Sequence, residues 1–190
     1  MNAEILFSGN PVLETPRFQL RKLSASDAED FFEFASDDAL TEHVAWEVHR
    51  SLEDTRTFLA AIEQRCESRI SYNWAVVERA SGKVIGRVSM FEVDEVNDIA
   101  EIGYAVGRAH WGQGVATEAG KELIRFGFED MGLNRIEARC NSENFRSEKV
   151  MQRMGMTLEG IIREELKIRN EYKSQKLYSI LRSEYLASRS

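Results

Sequence analysis

Apolar and polar residues alternate along several stretches of the chain, and between these stretches apolar residues recur every three or four positions, so strands and helices take turns. Residues 13–23 read as a strand with Phe18, Leu20 and Lys22 on one face and Gln19 and Arg21 on the other. Ser24 or Ser26, followed three residues on by Asp27 or Glu29, has the capping-box spacing. It opens a helix to about Ser36 that buries Phe31, Phe32 and Phe34. Residues 37–50, with His43, Trp46 and His49, show no clean period and read as a loop or short helix. Ser51 and Asp54 repeat the cap, and Phe58, Leu59, Ile62 and Cys66 follow at helical intervals to near Arg69. A hairpin comes next, with strands at 72–77 and 84–91 around a turn at 80–83. After a polar turn at 94–98, residues 99–106 form a strand, 111–114 a glycine turn and 115–131 a helix. Residues 134–140 alternate as a strand, 144–155 form a helix, and strands at about 156–165 and 172–181 close the pattern.

At 190 residues, 43% apolar and 30% charged, without repeats or low-complexity tracts, the chain reads as one globular domain spanning 1–190. The formal charge of −7 speaks against a nucleic-acid partner, which needs clustered Lys and Arg, and favours a cationic one. No run of eighteen apolar residues suggests a membrane span, and the start Met1-Asn2-Ala3-Glu4 lacks the basic and apolar parts of a secretion signal. A cytoplasmic protein is expected. Cys66 and Cys140 are too few for a disulfide framework, and His43, His49 and His110 are scattered, so no metal site is expected.

The stretch Trp111-Gly112-Gln113-Gly114-Val115-Ala116-Thr117-Glu118 carries the most chemistry. Glycines flanking one residue let backbone amides crowd together, and the helix start behind them leaves its first N–H groups without internal acceptors. Such a corner suits a phosphate or pyrophosphate, although a G-x-G can also be a mere connecting turn. A P-loop is excluded because no Lys-Ser/Thr pair follows; a dinucleotide fingerprint is excluded because the third glycine is missing. An anionic ligand in an acidic chain also needs a local basic patch, for which Arg108, Lys149 and Arg153 are candidates.

The turn resembles the acyl-CoA pyrophosphate loop of the GNAT acetyltransferases, Arg/Gln-x-x-Gly-x-Gly/Ala, with Trp111 where Arg or Gln is usual. Its continuation through Ala116, Thr117, Glu118 and Ala119 is similar to the RimJ/RimL type, the ribosomal-protein N-terminal acetyltransferases. So is the opening Leu13-Glu14-Thr15-x-Arg17-x-x-Leu20-Arg21. Asn144-x-x-Ser147, Met154-Gly155-Met156, Glu159-Gly160 and the tail from Tyr178 to Tyr185 resemble further signatures of that type in the same order. Met156 stands where Phe is usual, and Gln175 where Asp is often found.

The resemblance implies an α/β (α+β) GNAT fold: a mixed, mostly antiparallel, splayed central sheet of about six to seven strands with helices on both faces. It implies acetyl-CoA as cofactor. Main chain at Ile102, Tyr104 and Val106 would hold the pantetheine arm, with an N–H near Ala105 or Val106 on the thioester carbonyl. Amides of Gln113, Gly114, Val115, Ala116 and Thr117 would hold the pyrophosphate. Asn144 would bind pantetheine and Ser147 would protonate the leaving thiolate; on their own, the two residues are also ordinary helix-capping grammar. Glu101, on the strand face of Ile99, Gly103 and Ala105, is the candidate general base, with a water chain, Glu165 and Glu92 as alternatives and a surface ion pair as the plain reading. Cys140 reads as a small buried hydrophobe and not as a nucleophile, since the family transfers acetyl by direct attack. Trp46 either walls the acceptor cleft or covers core. The acceptor is expected to be the α-amino group of a protein or peptide such as a ribosomal protein. A small amine (polyamine, amino acid or antibiotic) and a non-catalytic acyl-CoA-binding module are the alternatives, and a homodimer is the family expectation.

Overall fold

The computed structural model describes every residue except 43, 45 and 190, so His43 lies outside the described residues. Among the described residues, eight strands form one sheet in the order β1-β2-β3-β4-β5-β6-β8-β7. In chain order these are β1 (Leu13–Glu14), β2 (Phe18–Lys22), β3 (Ser71–Glu78), β4 (Val84–Asp94), β5 (Ile99–Val106), β6 (Arg135–Asn141), β7 (Thr157–Ile168) and β8 (Glu171–Leu181). Every neighbouring pair is antiparallel except β5–β6. The count exceeds the expected six to seven because the first strand is broken. Thr15 folds back on itself, its N–H reaching Phe18 O at 2.9 Å and its hydroxyl accepting from Phe18 N at 3.0 Å, with Pro16 at the corner.

The alternation within β3 shows why helices cover both faces. Trp74 and Val76 point into a core shared with Met90, Ile102, Leu123, Phe126 and Ile136. Ala75 points the other way, to Phe31, Phe34, Leu59 and Ile62. The second face is covered by α2 (Ala28–Ala35) and α4 (Leu52–Glu67), the first by α5 (Val115–Arg125) and α6 (Phe145–Arg153). α5 winds on through Phe126–Met131 as a wider π-helical segment. Both capping boxes form, Ser24 with Asp27 and Ser51 with Asp54. Phe32 does not join the core as expected; it is half-buried, and Ala28, Phe31, Phe34 and Ala35 form the inward stripe. Short helices α1 (Glu4–Phe7), α3 (Asp38–Thr41) and α7 (Arg182–Ala187) complete the fold. α5 and α6 approach so closely that a Cβ added at Gly120 would lie 2.2 Å from Met154 Sδ.

Candidate active site

Among the described residues, three pairs join β5 to β6: Ile99 with Arg135, Ala100 with Ile136 and Glu101 with Glu137. Beyond Glu101 the strands part, and the β5 edge from Ile102 onward has no strand partner on that side. A cleft of about 580 Å³ fills the gap, lined by Ile102, Tyr104 and Val106 of β5, Cys140 of β6, and Asn144 and Ser147 at the start of α6.

The glycine turn forms one end of this cleft. Gly112 and Gly114 both take left-handed φ angles, +75° and +78°, which L side chains resist. α5 starts directly after Gly114, and Glu118 N–H is its first amide to reach a carbonyl, Gly114 O at 2.9 Å. Among the described residues, the amides of residues 112–117 meet no protein acceptor. Thr117 Oγ1 is likewise buried without a partner. Orphan donors gathered at a helix N-terminus fit a diphosphate. Gln113 contributes main chain only: its side-chain amide donates to Ala109 O at 2.9 Å and it is absent from the cleft wall.

Trp111, the departure from the usual loop, has a structural use. Its indole N–H donates to Val106 O at 2.7 Å, tying the turn to the end of β5, and Arg146 stacks over its ring at 4.4 Å. Arg146, Lys149 and Arg153, one face of α6, line the cleft. Arg108 is outside the cleft wall, 3.9 Å from Asp37, so Arg146 takes the place expected for it in the basic patch.

Glu118 braces the turn from behind. Its carboxylate accepts from Thr15 Oγ1 at 2.7 Å, Arg17 N at 3.0 Å and Arg17 Nε at 2.7 Å, while Arg17 Nη1 donates to Gln113 O at 2.9 Å. The two sequence signatures around Thr15-x-Arg17 and Thr117-Glu118 are thus halves of one contact. Burial pushes the Glu118 carboxyl up, but the Thr15 and Arg17 bonds outweigh it and hold the group below the ordinary carboxylate value. Its contribution to stability is therefore present above that ordinary value and lost as pH falls through the lowered one. Glu118→Ala should cost about 2 kcal/mol, since Arg17 is half exposed, and lower Tm by roughly 4–8 °C at pH 7. The deficit should shrink in melts at pH 4; an unchanged Tm at pH 7 would remove the brace.

At the other end of the cleft, Asn144 accepts from Ser147 N at 3.0 Å and so caps α6. Ser147 is not idle. Tyr104 O–H donates to Ser147 O at 2.9 Å, and its oxygen lies 2.7 Å from Ser147 Oγ. A phenol has one proton, so with that proton on the carbonyl the Ser147 hydroxyl must donate to Tyr104. Burial pushes the Tyr104 phenol well above its ordinary value, so it holds its proton at neutral pH. Cys140 stands beside Ser147, its thiol pushed up to about 11 by burial and by Glu148, and stays protonated. The sequence placed Tyr104 here for its main chain; its hydroxyl was missed, although an aromatic residue on the α6-facing side of β5 is the signal that could have found it.

Glu101 faces the opposite side of the sheet. It is buried and engaged by Arg139, which also approaches Glu137 at 3.3 Å. Phe91, Glu92, Glu165 and Gln175 join them around an adjoining hollow of about 450 Å³, so the three carboxylates considered as base face one space. His49 is buried, bonded to Thr55 Oγ1 at 2.9 Å, and belongs to the core. Trp46 packs on Phe58 at 5.6 Å, covering core as one reading had it, and also lines the cleft.

A splayed sheet with unpaired strand edge, orphaned amides at a helix start and hydroxyls at the split is the architecture of an acyl-CoA-dependent transferase. Residues 17–157 match the acetyltransferase (GNAT) domain, and the chain belongs to that family. It is an acetyl-CoA-dependent N-acetyltransferase. The uncharacterized N-acetyltransferase p20 of Bacillus licheniformis is 31% identical over 91% of this chain and 97% of that protein. The ribosomal-protein-serine acetyltransferase of Escherichia coli is 31% identical over 51% of this chain and 54% of its own. The crystal structure of a GNAT-family acetyltransferase from Bacillus anthracis superposes with a TM-score of 0.81 at 26% identity, covering 91% of this chain and 99% of that one. Among the described residues no helix is long and apolar enough to cross a membrane, and no cluster of His, Cys, Asp and Glu could hold a metal.

Proposed function

We propose that this enzyme acetylates the α-amino group of a protein or peptide in the cytoplasm, with Tyr104 and Ser147 supplying the proton for the departing thiol. Bound acetyl-CoA supplies an acyl carbon open to direct attack by an amine. The amides of residues 113–117 hold its diphosphate, and Arg146, Lys149 and Arg153 balance its charge. The unpaired edge of β5 at Ile102, Tyr104 and Val106 holds the pantetheine arm as a sheet edge holds a peptide. Asn144 fixes the start of α6, which holds the Ser147 hydroxyl at the split, against the Tyr104 phenol. Turned onto the leaving sulfur, the Ser147 hydroxyl gives up its proton and draws a replacement from the Tyr104 phenol, which regains one from solvent as Glu101 releases the amine's proton there. On the opposite face Glu101, engaged by Arg139, takes the amine's proton through an intervening water.

The observation that carries this reading is the Tyr104–Ser147 contact beside the stretch of β5 that lacks a partner. The protein acceptor is supported by the likeness to the Escherichia coli relative. Incubation with acetyl-CoA and purified ribosomal proteins, followed by intact mass spectrometry, should show a gain of one acetyl group located by fragmentation at an N-terminus. Acetylation of free polyamines with no protein product would replace the reading by the small-amine one.

A further inference from the structure

Arg87 projects from β4 on the face opposite Tyr104. Its register neighbours are Ala75 on β3 and Ala105 on β5, and its guanidinium lies 5.6 Å from the Phe58 ring. It lines the cleft with Trp46, Leu40 and Ser89. Nη1 donates to Asn73 Oδ1 at 2.7 Å, Nε is buried without a partner, and no described acceptor meets Nη2. No described carboxylate pairs with Arg87, whereas Arg139, across the split, is engaged by Glu101 and Glu137. Burial lowers the Arg87 pKa to about 10, which leaves it charged at neutral pH. A half-buried cation without counter-charge destabilises a fold, and a neutral side chain could bond Asn73 as well. Such an arrangement persists where a ligand supplies the missing charge.

We infer that Arg87 is the specificity residue for an acceptor that carries a carboxylate next to its reacting amine. The inference rests on the amine-acceptor reading above. Ser89 pairs with Gly103, the acceptor-face neighbour of Tyr104, and Arg87 lies two residues further along β4, about 7 Å away. The carboxylate therefore sits one row of the sheet from the amine, the reach of an acidic side chain near a peptide N-terminus or of an amino acid's own carboxyl. Nη2, which meets no described acceptor and is not among the buried unpartnered atoms, is the N–H-bearing nitrogen left to donate to a carboxylate oxygen, with the guanidinium charge behind it. One positive charge balances one carboxylate; a phosphate dianion would call for further donors.

The test is calorimetric titration of the enzyme–CoA complex with two matched pairs: the peptide amide Ser-Asp-Ala against Ser-Asn-Ala, and free serine against serinamide. One acid should bind at least about tenfold more tightly than its amide twin, and the pair that shows this identifies the source of the carboxylate. Arg87→Gln should bring the ratio to about one, and Arg87→Lys, which keeps the charge but not the placed Nη2 donor, should leave an intermediate ratio. CoA affinity measured in each variant reports folding. Equal binding within both pairs, no binding of either acid, or an undiminished ratio in Arg87→Gln overturns the inference. Acetylation of the amide twins without acid preference would do so while leaving the proposed function intact; binding of an acid that never accepts acetyl would instead remove the acceptor reading.

Discussion

The double variant Tyr104→Phe, Ser147→Ala should turn over about 10²–10³-fold more slowly than the parent at saturating acetyl-CoA, the usual size of a general-acid contribution. The two hydroxyls belong to one hydrogen-bonded chain, so the single variants should each lose less and their losses should not add. In Tyr104→Phe, Ser147 keeps its proton but loses its resupply. In Ser147→Ala the phenol remains, held by Ser147's main-chain carbonyl. Neither residue supplies the orphan amides at the turn, so the affinity for CoA should change by less than about threefold. Burial keeps the Tyr104 proton in place, so its loss should not limit the rate between pH 7 and 9. Stopped-flow thiol release alongside equilibrium CoA binding separates the two effects, and a double variant with parental turnover would take the proton donor away from this pair.

Gly114→Val should weaken acetyl-CoA binding at least about tenfold. Gly114 sits at φ +78°, a conformation that costs a β-branched residue roughly 1–3 kcal/mol, and about 1.4 kcal/mol is a factor of ten in affinity. Crowding is not the cause, because a Cβ there would meet only Arg17 Nη2, at 3.5 Å. The turn can relieve the strain by rotating its amides away from the cleft or by pulling Arg17 off Gln113 O. Either movement disperses the donors. Calorimetry with CoA should show the loss while Tm falls by only a few degrees; unchanged affinity would mean that the turn does not grip the diphosphate.

Much of the framework could be read from the chain because it depends on local signals. The period-2 stretches, the two capping boxes and the strand–turn–helix around Gly112 and Gly114 each occupy a few neighbouring residues, and each forms where expected except the first strand, which breaks at Thr15 and Pro16. Thr15, Arg17 and Glu118 could be recognised as familiar wording but not as a contact, because the bond joins residues 103 apart. The same limit hid the pairing of Glu101 with Arg139. Alternation assigns each residue to a face, but only the parallel register of Glu101 with Glu137 brings Arg139 into reach. Arg108 and Arg146 were indistinguishable by composition; α6 turns Arg146 into the cleft, and the turn after β5 leaves Arg108 at the surface, near Asp37. Trp111 looked like a lapse from the family pattern until its bond to Val106 O showed how it secures the turn. The net charge of −7 likewise conceals a basic wall at one place, which a whole-chain sum cannot reveal.

A crystal structure of the complex with CoA would show whether the glycine turn grips the cofactor. The diphosphate oxygens should lie within hydrogen-bond distance of the amides of residues 113–117, with the thiol sulfur in the split beside Ser147 Oγ. A diphosphate bound elsewhere, or a sulfur directed away from Tyr104 and Ser147, would contradict that placement.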